Sequence, residues 1–347
     1  MSTNDGSSMK PGRITLHDVA AAAGVSKSSV SRILDERLPR SESESAKRVR
    51  QVAAELGYVR DISAASLRRG NTSTIGVVVP HLTDTVMAMF YEAVARACQK
   101  AGLFAIVVAT SRDEPEADRA AAETLLARGV DGLILTTAQL GEKFTQELQL
   151  RNIPFVLALR RSGNGLASVG DDTLGGYLAT RHLLDLGHRK IGIIAGLSYS
   201  SSSSDRLIGY RKAMDEAGAE IADGWVVPSG FDIESGAEAA AKLISHPDRP
   251  TAIFAVNDNT AIGAMSWLPS AGLSVPGDIS IVGYNDIPIV RHLAVPLTTV
   301  RVPFDQIATG AIELLRSTTL GPNDRIRIAT PTLIPRRSTA RNASKDV

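Results

Sequence analysis

Apolar residues follow two different rhythms along this chain. Between residues 13 and 60 they recur three and four apart: Leu16, Val19, Ala20 and Ala23 share one helical face, Val30, Ile33 and Leu34 a second, and Val49, Val52, Ala53 and Leu56 a third. From residue 74 onward they come in short unbroken runs: TIGVVVP (74–80), LFAIVVAT (103–110), VDGLILTT (130–137), IPFVLALR (153–160), RKIGIIAG (189–196), TAIFAVND (251–258) and DISIVGYND (278–286). Helical patterns such as DEPEADRAAAETLLARG and DTLGGYLATRHLLDLG separate the runs. Apolar runs flanked by helices predict parallel strands covered on both faces. About nine such units are too many for one compact sheet, so two α/β lobes are expected.

The first rhythm is punctuated by capping residues. Thr15 with Asp18 three residues later fits a helix start, and Gly24 fits its stop. Ser26 fits the cap of a second helix over Lys27–Leu34, and Ser41 with Glu44 fits a capping box for a third. Two short helices separated by Gly-Val-Ser, with a third closing the core, predict a helix-turn-helix unit over 13–60. The second helix presents Lys27, Ser28, Ser29, Ser31 and Arg32 outward. Small hydroxyls let a helix sit deep in a major groove, and Arg32 could bond a guanine edge with both nitrogens. The plain alternative is a solvated amphipathic helix in a small bundle.

Charge sharpens this. The whole chain carries a formal +1, yet residues 10–70 hold 12 Lys/Arg against 7 Asp/Glu, a basic excess balanced by an acidic one in the remainder. That asymmetry is the footprint of a nucleic-acid-binding head on a neutral body. The chain's 347 residues predict more than one domain, and 44% hydrophobic content suits a large core built from Ala, Val, Ile and Leu, because aromatics make up only 4%. The single cysteine, Cys98, reads as a small core residue, and no Cys/His spacing suits zinc. The polar opening MSTNDGSSMKPGR carries no export signal and no apolar run reaches membrane-spanning length, so a cytoplasmic protein is expected. No nucleophile elbow, phosphate loop or dinucleotide fingerprint occurs, which argues against an enzyme, and His188 in LGHRK reads as a surface or capping residue.

The segment ITLHDVAAAAGVSKSSVSRILDE…SESESAKRVRQVAAELGY resembles the DNA-binding head of the lactose/galactose-repressor family. The resemblance implies base-reading roles for Lys27, Ser28 and Arg32, with Ser26 and Ser31 near phosphates. It implies that residues 61–73 form a hinge whose Leu67 wedges into the minor groove beside Arg68. The loop LDERLPRS is about one residue longer than that family's pattern, by the same resemblance. Arg60-Asp61-Ile62-Ser63 replaces its Pro-x-Ala-Leu, and Ala65 stands where Arg is frequent. Residues 1–12 are expected to form a disordered tail.

SVGDDTLGGYLATRHLLDLGHRKIG, DRPTAIFAVND, SVPGDISIVGYNDIP and PLTTVRVP extend the resemblance to that family's periplasmic-binding-protein-like body over 74–347. The implied architecture is an all-α head and hinge helix joined to two parallel Rossmann-like lobes, one at about 74–170 and 301–322, the other at about 171–300 and 323–347. Ligands bind open α/β sheets at the carboxyl ends of strands. The resemblance assigns Arg206 as the anchoring guanidinium, with Met87, Arg160, Ser200, Ser202, Phe231, Asp258 and Asn285 around a small-molecule effector. Val86 and Met87 stand where an aromatic pair often stacks on a ring, which weakens the case for a purine or a sugar bound by aromatic stacking. Leu159 replaces an acid beside Arg160 and Arg161, so a more cationic cleft and an acidic effector such as a sugar acid are expected. The implied function is a repressor that binds pseudo-palindromic operator DNA as a homodimer, with no cofactor and no metal. A small-molecule binder without DNA is the competing reading, and the complete head opposes it. The tail STARNASKDV shows no heptad repeat for a tetramer-forming helix.

Overall fold

The computed structural model describes residues 14–35, 38–59, 71–110, 115–163, 165–317, 319, 321 and 324–342. The chain divides into two compact units, 1–72 and 73–347.

The first unit contains α1 (Leu16–Ala23), α2 (Lys27–Ile33) and α3 (Glu44–Glu55). Thr15 and Asp18 exchange hydrogen bonds at the start of α1: the Thr15 N–H donates to the Asp18 carboxylate at 2.8 Å and the Asp18 N–H donates to the Thr15 hydroxyl at 3.4 Å. Gly24 ends the helix with φ +68°, a left-handed turn that costs glycine little. Ser26 caps α2. The cap of α3 is Ser43, not Ser41; the Ser43 hydroxyl accepts the Ala46 N–H, while the Ser41 hydroxyl donates to the Ser43 hydroxyl and accepts the Ser43 N–H. Beginning there turns Ala46, Val49 and Ala53 inward, while Leu56, past the helix end, remains exposed. Val19, Ala20, Ala23, Val30, Val49 and Ala53 form the core of this unit. The expected tail and residues 61–70 of the expected hinge, with Leu67 and Arg68, lie outside the described residues.

The second unit is built on two sheets. The first contains β1 (Thr74–Val79), β2 (Phe104–Ala109), β3 (Gly132–Leu135), β4 (Phe155–Ala158), β5 (Ala167–Gly170) and β11 (Ile326–Ala329), all parallel, in the order β11-β5-β4-β3-β1-β2. The second contains β6 (Ile191–Ala195), β7 (Val226–Pro228), β8 (Ala252–Ala255), β9 (Ser280–Asn285), β10 (Thr298–Arg301) and β12 (Thr332–Ile334), in the order β12-β10-β9-β8-β6-β7, with β12 antiparallel to β10. Near-continuous burial of β1, β3, β4, β6, β8 and β9 matches strands covered on both faces.

Helices α4 (Thr85–Lys100), α5 (Pro115–Ala127), α6 (Phe144–Leu150) and α11 (Phe304–Arg316) belong to lobe one; α7 (Asp172–Asp185), α8 (Ser201–Glu216), α9 (Ile233–Ile244) and α10 (Asp258–Trp267) belong to lobe two. The chain crosses between lobes after β5, after β10 and after β11. The expected return to lobe two at residue 323 is therefore too early: β11 pairs with β5 in lobe one, Ile326 opposite Ala167, and the crossing falls after Ala329. A four-residue edge strand with Ile328 exposed gives little apolar contrast, which explains the misplacement.

Helices α7 and α8 pack with almost no space between backbones. A Cβ on Gly209 would stand 2.1 Å from the carbonyl oxygen of Thr173. The contact sets the first turn of α7, which carries Asp172, against the middle of α8, which carries Arg206.

Candidate functional site

On the helical unit, Lys27, Ser28, Ser31 and Arg32 line one open groove with Leu16, Asp35 and Leu38. Arg32 and Lys27 are exposed, whereas Ser29 and Ser31 are half-buried. Ser26 stands at the edge of this surface, its hydroxyl accepting the Ser29 N–H at 3.2 Å and lying 2.8 Å from the Ser28 hydroxyl. The cap thus preorganises the serines it neighbours.

In the body, the carboxyl ends of strands from both lobes enclose a cavity of about 100 Å³. Lobe one contributes His81, Asp84 and Met87 after β1 and Arg160 after β4. Lobe two contributes Asp172, Ser202, Arg206, Phe231, Asn257 and Asn285, and the second crossing adds Val302 and Phe304.

Arg206 is 7% exposed and held by three neighbours. Its Nε–H donates to Asp172 at 2.8 Å and its Nη1–H to the carbonyl of Val256 at 2.8 Å, while its guanidinium carbon lies 3.7 Å from the centre of the Tyr284 ring. Burial pushes the Asp172 carboxyl above its ordinary value, and the adjoining guanidinium opposes that rise. A buried charge of either sign is tolerated only when paired, so the two define each other's position. Across the cleft the Arg160 guanidinium lies 5.3 Å from the Phe231 ring, a cation–π contact between lobes. Asp84 caps α4 by accepting the Val86 N–H at 3.0 Å and meets the amide of Asn259 from the other lobe at 3.5 Å. Desolvation raises its carboxyl as well. Just outside the cavity the Arg161 N–H donates to the Ser201 hydroxyl at 2.8 Å, its guanidinium pairs with Asp205 at 2.9 Å, and the Leu140 N–H donates to the carbonyl of Tyr199. These contacts hold the lobes closed on each other.

Met87, Arg160, Ser202, Arg206, Phe231 and Asn285 therefore meet around one cavity. Ser200 and Asp258 do not line it. Ser200 lies behind Ser202, hydroxyl to hydroxyl at 2.9 Å. Asp258 is wholly buried; its carboxylate accepts the Thr299 hydroxyl at 2.6 Å and the Ile287 N–H at 2.8 Å, and burial pushes its pKa up to about 7. It braces the end of β9 instead of facing a ligand.

Asp84, Asp172, Asn257 and Phe304 are lining residues that the sequence reading did not name. Asp172, which opens the helix directly after a strand end in SVGDD, carries the clearest signal of the four. The expected cationic cleft is not what forms, because Asp84 and Asp172 balance Arg160 and Arg206. His188 is buried rather than superficial: its Nδ1 lies 2.9 Å from the Thr251 hydroxyl and its Nε2 3.1 Å from the Ala340 carbonyl, tying the C-terminal segment to β9 through Ser280. Among the described residues no three His, Cys, Asp or Glu side chains are grouped to hold a metal, and no helix is long and apolar enough to cross a membrane.

Known proteins share this organisation of a helical unit followed by a two-lobed body. The family described as bacterial regulatory proteins, lacI family, matches residues 15–61, and the periplasmic binding protein-like domain matches residues 180–339. The ribose operon repressor of Haemophilus influenzae is 34% identical over 329 residues, covering 93% of this chain and 98% of that protein. The HTH-type transcriptional repressor PurR of Photobacterium profundum is 33% identical over the same shares. Among solved structures, the lac repressor dimer bound to operator and the anti-inducer ONPF superposes with a TM-score of 0.82 at 26% identity, over 95% of this chain and 100% of that one.

Proposed function

Because the chain belongs to the lacI family of bacterial regulatory proteins, we propose that it is a cytoplasmic repressor that grips a pseudo-palindromic operator as a homodimer and answers to a neutral, polyhydroxylated effector of pentose size. It is a regulator and not an enzyme, as its relatives are. The observation that carries the effector class is the charge balance of the cavity: two guanidiniums face two carboxylates within about 100 Å³. A net anion would compete with Asp172 for the Arg206 guanidinium, whereas hydroxyls both donate to carboxylates and accept from amides and guanidiniums. Val86 and Met87 offer no aromatic face, Phe231 is already covered by Arg160, and Phe304 meets Phe90 edge to face, which together disfavour a purine stacked between two rings. The relatives named ribose operon repressors point to a pentose of this kind.

In operation, each head lays α2 in a major groove, where Lys27, Ser28 and Arg32 read bases and Ser26 and Ser31 hold phosphates. The hinge, with Leu67 and Arg68, enters the minor groove between the two half-sites. The effector shifts operator affinity only through its differential affinity for two lobe arrangements, a coupling of about 1–3 kcal/mol. Calorimetric titration with D-ribose, D-ribonate and hypoxanthine tests the reading. Binding of D-ribose alone is expected; binding of D-ribonate or hypoxanthine in its place would overturn the effector class.

A further inference from the structure

Asn285 and Asp286, at the end of β9, both hold left-handed backbones, φ +113° and +58°. Side chains other than glycine adopt such conformations at a cost, so something must hold the pair there. Asn285 faces the cavity. Asp286 turns the other way, its side chain only 2% exposed, and receives two guanidiniums. Arg301 donates its Nε–H to one carboxylate oxygen at 2.8 Å, with its Nη2 at 2.7 Å from the same oxygen. Arg336 donates to the other oxygen at 2.5 Å.

Those two arginines occupy particular places in the fold. Arg301 is the last residue of β10, immediately before the chain leaves lobe two through Val302 and Phe304, both cavity-lining. Arg336 follows β12, just after the chain has returned. Arg336 is anchored further by donating its Nη1–H to the carbonyl of Leu297 at 2.8 Å and its backbone N–H to the Thr298 hydroxyl at 2.9 Å. One carboxylate therefore joins the outgoing crossing, the returning crossing and the residue beside a cavity-lining side chain. From this geometry we infer that Asp286 is a positioning residue that clasps two of the three inter-lobe crossings and holds Asn285 toward the effector.

Any rotation of the lobes must pass through the crossings, so the clasp links the backbone angle at Asn285 to lobe orientation. The inference rests on the cleft being the effector site, but its test needs no effector. Hydrogen exchange of the full-length protein is followed by mass spectrometry for wild type, Asp286→Asn, Arg301→Met and Arg301→Lys. Arg301 is half-exposed, so its replacement does not threaten folding. Breaking the clasp at Arg301 is expected to speed exchange about tenfold or more at 285–287, 301–304 and 330–336 together, with β1 and β6 unchanged. Asp286→Asn is expected to act in the same three segments, and Arg301→Lys, which keeps a cation, to restore most of the protection. A change confined to the strand bearing Arg301, with 285–287 and 330–336 as in wild type, would overturn the inference. Failure of D-ribose to bind would overturn only the effector reading.

Discussion

The α-carbon of Gly176 in α7 sits so close to Arg206 in α8 that a Cβ there would stand 2.2 Å from the Arg206 carbonyl oxygen. That oxygen is backbone and cannot swing aside, so one helix would have to move. The same contact places the Asp172 carboxylate, four residues earlier, beside the Arg206 guanidinium. Gly176→Ala should therefore destabilise the body by about 3 kcal/mol or more, measured by denaturant unfolding. It should also weaken effector binding, because the displaced helix carries Arg206. An unfolding midpoint equal to wild type would refute the account of this packing.

Arg206→Met strands a buried carboxylate. The single change should cost about 3–5 kcal/mol, whereas adding Asp172→Leu should recover most of the loss, since apolar replacement of a buried pair is often neutral. Both proteins should lose effector binding. Denaturant melts of the two variants beside wild type check the stability claim, and calorimetry checks the second.

Asp258 should make stability depend on pH in an unusual direction. Its folded pKa of about 7 lies above its ordinary value of 3.8, so the folded state holds the proton more tightly. The resulting stabilisation is fully present below the ordinary value and is lost as pH rises through 7. Compared with Asp258→Asn, wild type should lose stability on the order of 4 kcal/mol between pH 4 and pH 8 and change little above that. Parallel denaturation series at each pH measure the difference, and a flat difference would contradict the burial described for this carboxylate.

Arg32→Ala should relax base preference at one position in each half-site, costing about 1–3 kcal/mol of discrimination. Lys27→Ala should instead leave Arg32's position intact. Selection of binding sites from randomised operator sequences separates the two, and an unchanged consensus with Arg32→Ala would exclude it as a reading residue.

How much of this was readable beforehand varied with how local the cause was. The caps at Thr15 and Ser26 and the turn at Gly24 depend on neighbours within a few residues, and they formed as their spacing implied. Ser41 and Ser43 compete for one helix start within the same few residues, and only the inward turn of Ala46 and Val49 decides between them. Strands β1, β3, β4, β6, β8 and β9 were legible because both faces are apolar, whereas β5 and β10, buried but short and rich in Ser, Thr and Gly, were not. Strand β11 was not, because its partner β5 lies far away in sequence and its outer side chains are exposed. At the cavity, the resemblance named Arg206 and Asn285, and both line it. It said nothing of Asp172, whose role depends on two helices meeting at glycines. It also aimed Asp258 at a ligand, when its oxygens are consumed by Thr299 and Ile287.

The three crossings also order events during synthesis. The first sheet closes only when β11 arrives, and β11 is made after nearly all of lobe two. The three-helix unit, by contrast, draws its core from residues close in sequence and needs nothing downstream. On the ribosome, then, a DNA-reading surface is completed while the lobe that must later govern it still lacks an edge. Translation itself delivers the grip before the control.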